Sequence, residues 1–260
     1  MSASTDDDWV QWGERDPYFA VITDPKYRVN QITQEAKKEF FDSGRWHVGY
    51  VLDSCRRYVD PAFAPRRALD FGCGVGRIAL PLAEQVEAVV GVDVSPAMLA
   101  EAQRNASEQR RGNVEWQLSD DALTAVQGRF DLVHSCITLQ HIDVPRGRRL
   151  FARMLDLLGD GGAGAIQITY AKAYHAASFG QPPAPPPVIA AATPGGGLRS
   201  LLSRDAQSAD PAMQMNPYNL SELAFLMQSA GIRGFHVDFT DHGGEIGVFL
   251  FFGKPRNAST

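Results

Sequence analysis

Four carboxylates and two histidines stand where chemistry is possible: Asp70, Asp93, Asp120, Asp121, His134 and His141. Asp70 opens a run of alternating glycines, Asp70-Phe-Gly-Cys-Gly-Val-Gly76. Glycines allow a tight turn and let a ligand approach where a Cβ would clash. A carboxylate beside such a turn can hold a ligand ammonium; it can also cap the next helix or bond the turn amides. Asp93 closes the apolar run Ala88-Val-Val-Gly-Val-Asp93. A carboxylate there can accept from both hydroxyls of a ribose. The competing reading is a helix cap, but Ser95 followed by Pro96 already supplies one. Asp93 is therefore expected to be free for a ligand. His134 lies inside the apolar run Phe130–Cys136 and reads as a packed core histidine. His141 lies past its end, where an imidazole suits a proton acceptor for an attacking oxygen. The plainer reading of His141 is a brace for the loop backbone.

Bringing these groups together requires parallel strands whose carboxyl ends share one edge. Ala68–Phe71 predicts a short buried strand and Gly76–Glu84 the helix behind it, with Pro81 inside. Ala88–Val94 predicts a second strand, and Pro96–Arg111 an amphipathic helix with Met98, Leu99 and Ala102 inward. Val114–Leu118 is a third strand, closed by Ser119-Asp120-Asp121-Ala122 ahead of a short helix to Val126. Phe130–Cys136 and Ala163–Tyr170 are the fourth and fifth strands, separated by a helix that Pro145 starts and Gly159 to Gly162 stop. A helix over Leu220–Ala230 and a hairpin of Gly234–Thr240 with Gly247–Gly253 complete the pattern. The glycine spacing departs from a dinucleotide fingerprint. Counted from Gly72, the third glycine of that pattern falls on Arg77; counted from Gly74 it falls on Ala79 and leaves Asp70 unexplained.

Leu69-Asp-Phe-Gly-Cys-Gly-Val-Gly76 resembles the first motif of class I S-adenosylmethionine-dependent methyltransferases, and Phe130-Asp-Leu-Val133 is a common form in the same family. The resemblance covers Ala68 to about Lys254. It implies an α/β fold: a doubly wound, Rossmann-like, seven-stranded sheet, mostly parallel with a reversed last strand. It implies S-adenosylmethionine as cofactor. Asp70, Gly72, Cys73, Gly74 and Arg77 would hold its methionyl part, and Asp93 its ribose, with Val94 and Met98 alongside. Asp120 or Asp121 would meet the adenine, unless one of the pair caps the following helix. Ser135 would lie at the carboxyl edge of the fourth strand, and His141 would serve as base.

The acceptor is narrowed by what is missing. The Asn/Asp-Pro-Pro-Tyr/Phe tetrapeptide of amino-methylating enzymes is replaced by Ser135-Cys-Ile-Thr138, and no acidic pair is placed for a catalytic magnesium. The expected acceptor is a small molecule, a hydroxyl of a sugar or a secondary metabolite. A nicotinamide-dependent oxidoreductase and a non-catalytic binding module are the alternatives; Asp70, Arg77 and the terminal hairpin weigh against the first, and the three acids against the second.

Composition agrees with a soluble α/β protein of 260 residues, 44% hydrophobic and 21% charged, with a formal net charge of −5. The balance and the lack of a Lys/Arg-rich run point away from nucleic acid, and Arg146 to Arg149 read as a solvated helix face. Three scattered cysteines imply neither a disulfide framework nor a zinc site. No apolar run reaches membrane-spanning length and no signal peptide is apparent, so a cytoplasmic location is expected. Residues 1–66 read as an N-terminal helical cap and 67–254 as the methyltransferase domain, followed by a tail at 255–260. The first eight residues are expected to be disordered. Helices are expected over Asn30–Asp42 and Val48–Val59, broken at Ser43-Gly44. The Pro- and Gly-rich stretch within 172–217 reads as a lid-like insertion, mobile over Gln181–Gly197, with order returning at Leu198–Leu202.

Overall fold

The computed structural model describes residues 5–173 and 210–256. Most of the 172–217 insertion lies outside these residues, including Gln181–Gly197 and Leu198–Leu202. Seven strands form one sheet: β1 Arg67–Phe71, β2 Ala88–Asp93, β3 Val114–Leu118, β4 Phe130–Ser135, β5 Leu158–Lys172, β6 Phe235–Asp241 and β7 Glu245–Gly253. Their order is β3-β2-β1-β4-β5-β7-β6. β1 to β5 run parallel, and β7 pairs antiparallel with both β5 and β6. This is the expected doubly wound sheet with its reversed last strand.

Alternate residues of β1 face opposite layers, as strand geometry requires. Leu69 and Phe71 pack with α6 (Val144–Leu157) and α7 (Leu220–Ser229). Ala68 packs with α3 (Gln34–Tyr58) and α4 (Ala79–Leu82). A third cluster joins α1 (Thr5–Arg15) and α2 (Pro17–Val21) to α5 (Pro96–Glu108) through Trp12, Tyr18, Phe40 and Met98. No helix among the described residues is long and apolar enough to cross a membrane.

Four local expectations change. Thr5 to Asp8 open α1, with Thr5 buried and Asp6 paired to Arg146. Arg146 is accordingly not a solvated residue: it bonds Asp6 at 2.6 and 2.8 Å and Asp121 at 2.5 Å. No helix forms over 122–126; the Asp120 carboxylate accepts from Ala122 N and Thr124 N and fixes a turn instead. The break expected at Ser43-Gly44 is absent, and α3 runs unbroken for 25 residues.

Gly44 has another use, and it explains why the helix after the glycine loop is shorter than expected. Only Ala79–Leu82 is α-helical there. Pro81 has no N–H, so the Arg77 carbonyl loses its helical donor. That carbonyl faces α3, and a Cβ on Gly44 would lie 2.0 Å from its oxygen. The missing side chain thus lets α3 seat directly on the loop. Helix propensity alone would make Gly44→Ala stabilising by about 1 kcal/mol. Overlap with a backbone oxygen should reverse the sign, at a cost of roughly 1–3 kcal/mol. We expect chemical denaturation of Gly44→Ala to show a lower midpoint than wild type; a higher one would mean that α3 is not seated there.

Candidate functional site

The carboxyl ends of β1, β2 and β4 open into a cleft. Its floor is the loop after β1. Gly72, Gly74 and Gly76 have φ of +76°, +52° and +87°, the left-handed region. At Gly72 this conformation coincides with crowding, since a Cβ would meet Thr138 Oγ1 at 2.2 Å. Gly72 N and Cys73 N donate to Val92 O at 2.8 and 3.0 Å, tying the loop to β2.

Asp70, Gly72, Cys73, Gly74, Arg77, Asp93, Val94, Met98 and His141 all line the cleft. Asp70 is 2% exposed. Its Oδ1 lies 2.7 Å from His134 Nδ1, while its Oδ2 is buried without a partner. Asp93 is not free of protein partners, as had been expected. Ser95 does cap α5, but Asp93 accepts from Gly74 N at 2.8 Å and Ser95 N at 2.9 Å. Each oxygen keeps a lone pair for a ligand hydroxyl. Burial raises the Asp93 pKa to about 6, against the lowering effect of those amides. Burial also pushes the Cys73 thiol well up, reinforced by Asp93 and Asp70, so the thiol stays protonated. Arg77 reaches Ser43 Oγ at 3.4 Å, and its Nε is buried without a partner.

Three expected site residues stand elsewhere. Ser135 is buried and its Oγ donates to Phe71 O at 3.0 Å, bracing β1. Asp120 is spent on its turn and Asp121 on Arg146; Ser119 lines the cleft in their place. The chain reverses immediately after β3, so the residue presented inward is the one before the acids.

The roof is assembled from distant segments. Thr5 Oγ1 donates to His141 O at 2.6 Å, and the Trp9 ring lies 4.7 Å from the His141 ring. His141 belongs to a 3-10 turn, Leu139–His141. The segment that leads into α7 covers this turn from the other side. Asn216 N donates to Gln140 O at 2.7 Å, and the Tyr218 hydroxyl to Leu139 O and Ile142 O at 2.8 and 2.9 Å. Arg28 then links Asp16 to Asp210 at 3.0 and 2.5 Å. His141 Nδ1 lies 2.8 Å from Gln214 O, which assigns the proton to Nδ1; Nε2, 3.5 Å from the Gln140 amide nitrogen, is then an acceptor in the neutral ring. Burial lowers the His141 pKa to about 4, opposed by that same hydrogen bond. Trp9, Val21, Ile137 and Thr138 also line the cleft.

Residues 68–162 match the family model described as a methyltransferase domain. The aklanonic acid methyltransferase DauC of Streptomyces sp. (strain C5) is 31% identical over 147 residues, which cover 54% of this chain and 66% of that protein. The ubiquinone biosynthesis O-methyltransferase of Coxiella burnetii is 34% identical over 98 residues, 37% of this chain and 41% of that protein. The chain thus spans two thirds or less of either relative. The fold is similar to that of magnesium protoporphyrin IX methyltransferase from Synechocystis PCC 6803, solved with bound SAH. The TM-score is 0.62 at 18% identity, covering 95% of this chain and 97% of that one. Sequence match and strand order agree, and the chain belongs to the class I S-adenosylmethionine-dependent methyltransferases.

Proposed function

We propose that the protein transfers the methyl group of S-adenosylmethionine to a hydroxyl of a small, largely planar secondary metabolite. The observation that carries the cofactor assignment is the Asp70 carboxylate, which lines the glycine-loop cleft and has a buried Oδ2 without a hydrogen-bond partner. A second carboxylate, Asp93, lines the same cleft. A buried and a part-buried carboxylate in one cleft favour a cationic ligand. Asp70 would take the ammonium and Asp93 the ribose hydroxyls. Arg77, whose Nε lacks a partner, is available for the carboxylate. Bound there, the sulfonium supplies an electrophilic methyl group.

The acceptor side is walled by Trp9, Val21, Ile137 and His141. An aromatic and aliphatic wall with one imidazole suits a flat aromatic acceptor better than a sugar, which would need more polar partners. The relatives named for aklanonic acid and for ubiquinone biosynthesis support a small-molecule acceptor. The protein's remaining tasks are to hold the hydroxyl in line and exclude water. His141 Nε2 can accept the hydroxyl proton, and its Nδ1–H bond to Gln214 fixes the ring for that purpose.

Two outcomes follow from this assignment. Asp93→Ala should weaken S-adenosylmethionine binding by roughly 1.5–3 kcal/mol, the range for charge-assisted hydrogen bonds. Calorimetry beside an unfolding curve checks this, because the Gly74 and Ser95 amides lose their acceptor too. Unchanged affinity in a folded variant removes Asp93 from the ribose site.

His141→Ala should keep cofactor affinity and lose about 10²–10⁴ in turnover. Because burial holds the His141 pKa at about 4, the neutral acceptor form predominates at every pH well above that value. Wild-type turnover should therefore fall through His141 protonation only as pH approaches 4. An inflection near pH 6.5 that disappears in His141→Ala would show a solvated imidazole at work instead. Near-wild-type turnover of the variant at neutral pH would leave catalysis to positioning alone.

A further inference from the structure

Behind the cleft, Asp70 is the first member of a buried chain of three side chains. β1 and β4 pair in parallel with Asp70 directly opposite His134. Both residues share the parity of Ala68 and Leu132, which face α3. From α3, His47 Nε2 comes within 2.9 Å of His134 Nε2, and His134 Nδ1 lies 2.7 Å from Asp70 Oδ1. Asp70, His134 and His47 are 2%, 1% and 8% exposed. Phe249 of β7 closes the chamber, with its ring 6.1 Å from His134 and 5.6 Å from His47.

A carboxylate only accepts, so His134 Nδ1 must donate to Asp70. In the neutral ring His134 Nε2 then becomes an acceptor, and His47 Nε2 must be the donor that fills it. The sequence of donors therefore runs in one direction, from His47 through His134 to Asp70. It occupies Oδ1 and leaves Oδ2 without a partner, on a residue that lines the cleft. Burial above all holds the His47 pKa well below the ordinary imidazole value. His47 is thus neutral and able to complete the chain as a single-proton donor.

We propose that His134 and His47 are positioning residues for the cofactor: they fix the Asp70 carboxylate so that its free oxygen receives the methionyl ammonium. His47 lies outside residues 68–162, so the N-terminal helices would form part of the cofactor site and not only a cover for it. The inference rests on the S-adenosylmethionine reading above.

The test separates the donor from the bulk of the ring. Asn places an amide N–H near the position of imidazole Nδ1, and Gln places one near Nε2. His134→Leu should weaken binding of S-adenosylmethionine and its demethylated product by roughly 10- to 100-fold, the worth of a charge-assisted hydrogen bond. His134→Asn keeps the donor to Asp70 and should stay within a few-fold of wild type, although it loses the contact with His47. His47→Leu should weaken binding and His47→Gln should restore it. Imidazole ¹⁵N shifts of the wild-type protein without ligand should show the Nδ1–H tautomer at His134 and Nε2–H at His47.

A purely structural role predicts that affinity follows the unfolding midpoint, with His134→Asn as weak as His134→Leu. That result, or wild-type affinity in a folded His134→Leu, or the opposite tautomers, would overturn the proposal. If the wild-type protein binds neither compound, the S-adenosylmethionine reading fails, and the part assigned to His134 and His47 at the cofactor fails with it. The tautomers then decide only whether the donor chain itself exists.

Discussion

A carboxylate at the end of a central parallel strand must be desolvated, and that is expensive unless hydrogen bonds or a counter-charge replace the lost water. Asp70 is in this position, and much of the surrounding molecule answers it. The sheet register sets His134 opposite, and α3 sets His47 behind. The glycine loop folds over the same strand end and bonds back to Val92. One oxygen is left over, in a cleft whose second carboxylate, Asp93, already holds Gly74 and Ser95. Protein contacts therefore satisfy these acids only in part. The remainder falls to a ligand, and its required charge is the opposite of that of a pyrophosphate.

Contact between layers is set by small residues at a few crossings. α3 approaches the Arg77 carbonyl where Gly44 has no side chain. α1 approaches the N-terminus of α5 in the same manner, since a Cβ on Gly13 would fall 2.2 Å from Ser95 Oγ. Interiors are packed too densely to absorb such overlaps. These two crossings bring the N-terminal helices down onto the loop and the capping serine that shape the cleft. Their aromatic residues, Trp12, Tyr18 and Phe40, then fill the space above α5.

The roof has no single owner. α1 supplies Thr5, Asp6 and Trp9, the turn after β4 supplies His141, and the segment before α7 supplies Gln214 and Tyr218. Arg146 of α6 ties α1 to the turn after β3 by pairing with Asp6 and Asp121, with only 14% of its side chain exposed. Exposed ion pairs add little, but a forked, mostly covered guanidinium fixes orientation as well as energy. His141 is consequently held on its backbone by α1 and on its ring by Gln214.

The glycine loop, both strand-end acids and the order of strands were legible in the chain. Each depends on local chemistry: φ beyond the reach of a side chain, a carboxylate after an apolar run, a period of two or of 3.6. Local chemistry also misled. Ser43-Gly44 has the composition of a break, but tertiary contact keeps α3 whole and uses the glycine for close approach. Asp120 and Asp121 have the right type at the right strand end, yet the turn and Arg146 take them, and Ser119 faces inward. Asp93 reads from the sequence as free for a ligand, whereas the fold makes it the brace of Gly74. His134 was read as core, which it is, while its partner His47 gave no signal at all. Only strand register and the seating of α3 bring residues 47, 70 and 134 within hydrogen-bond reach, and neither is written in the spacing of any one segment. The sequence determined which groups the protein has for holding a cationic cofactor; the tertiary structure decided which of their lone pairs remain available to it.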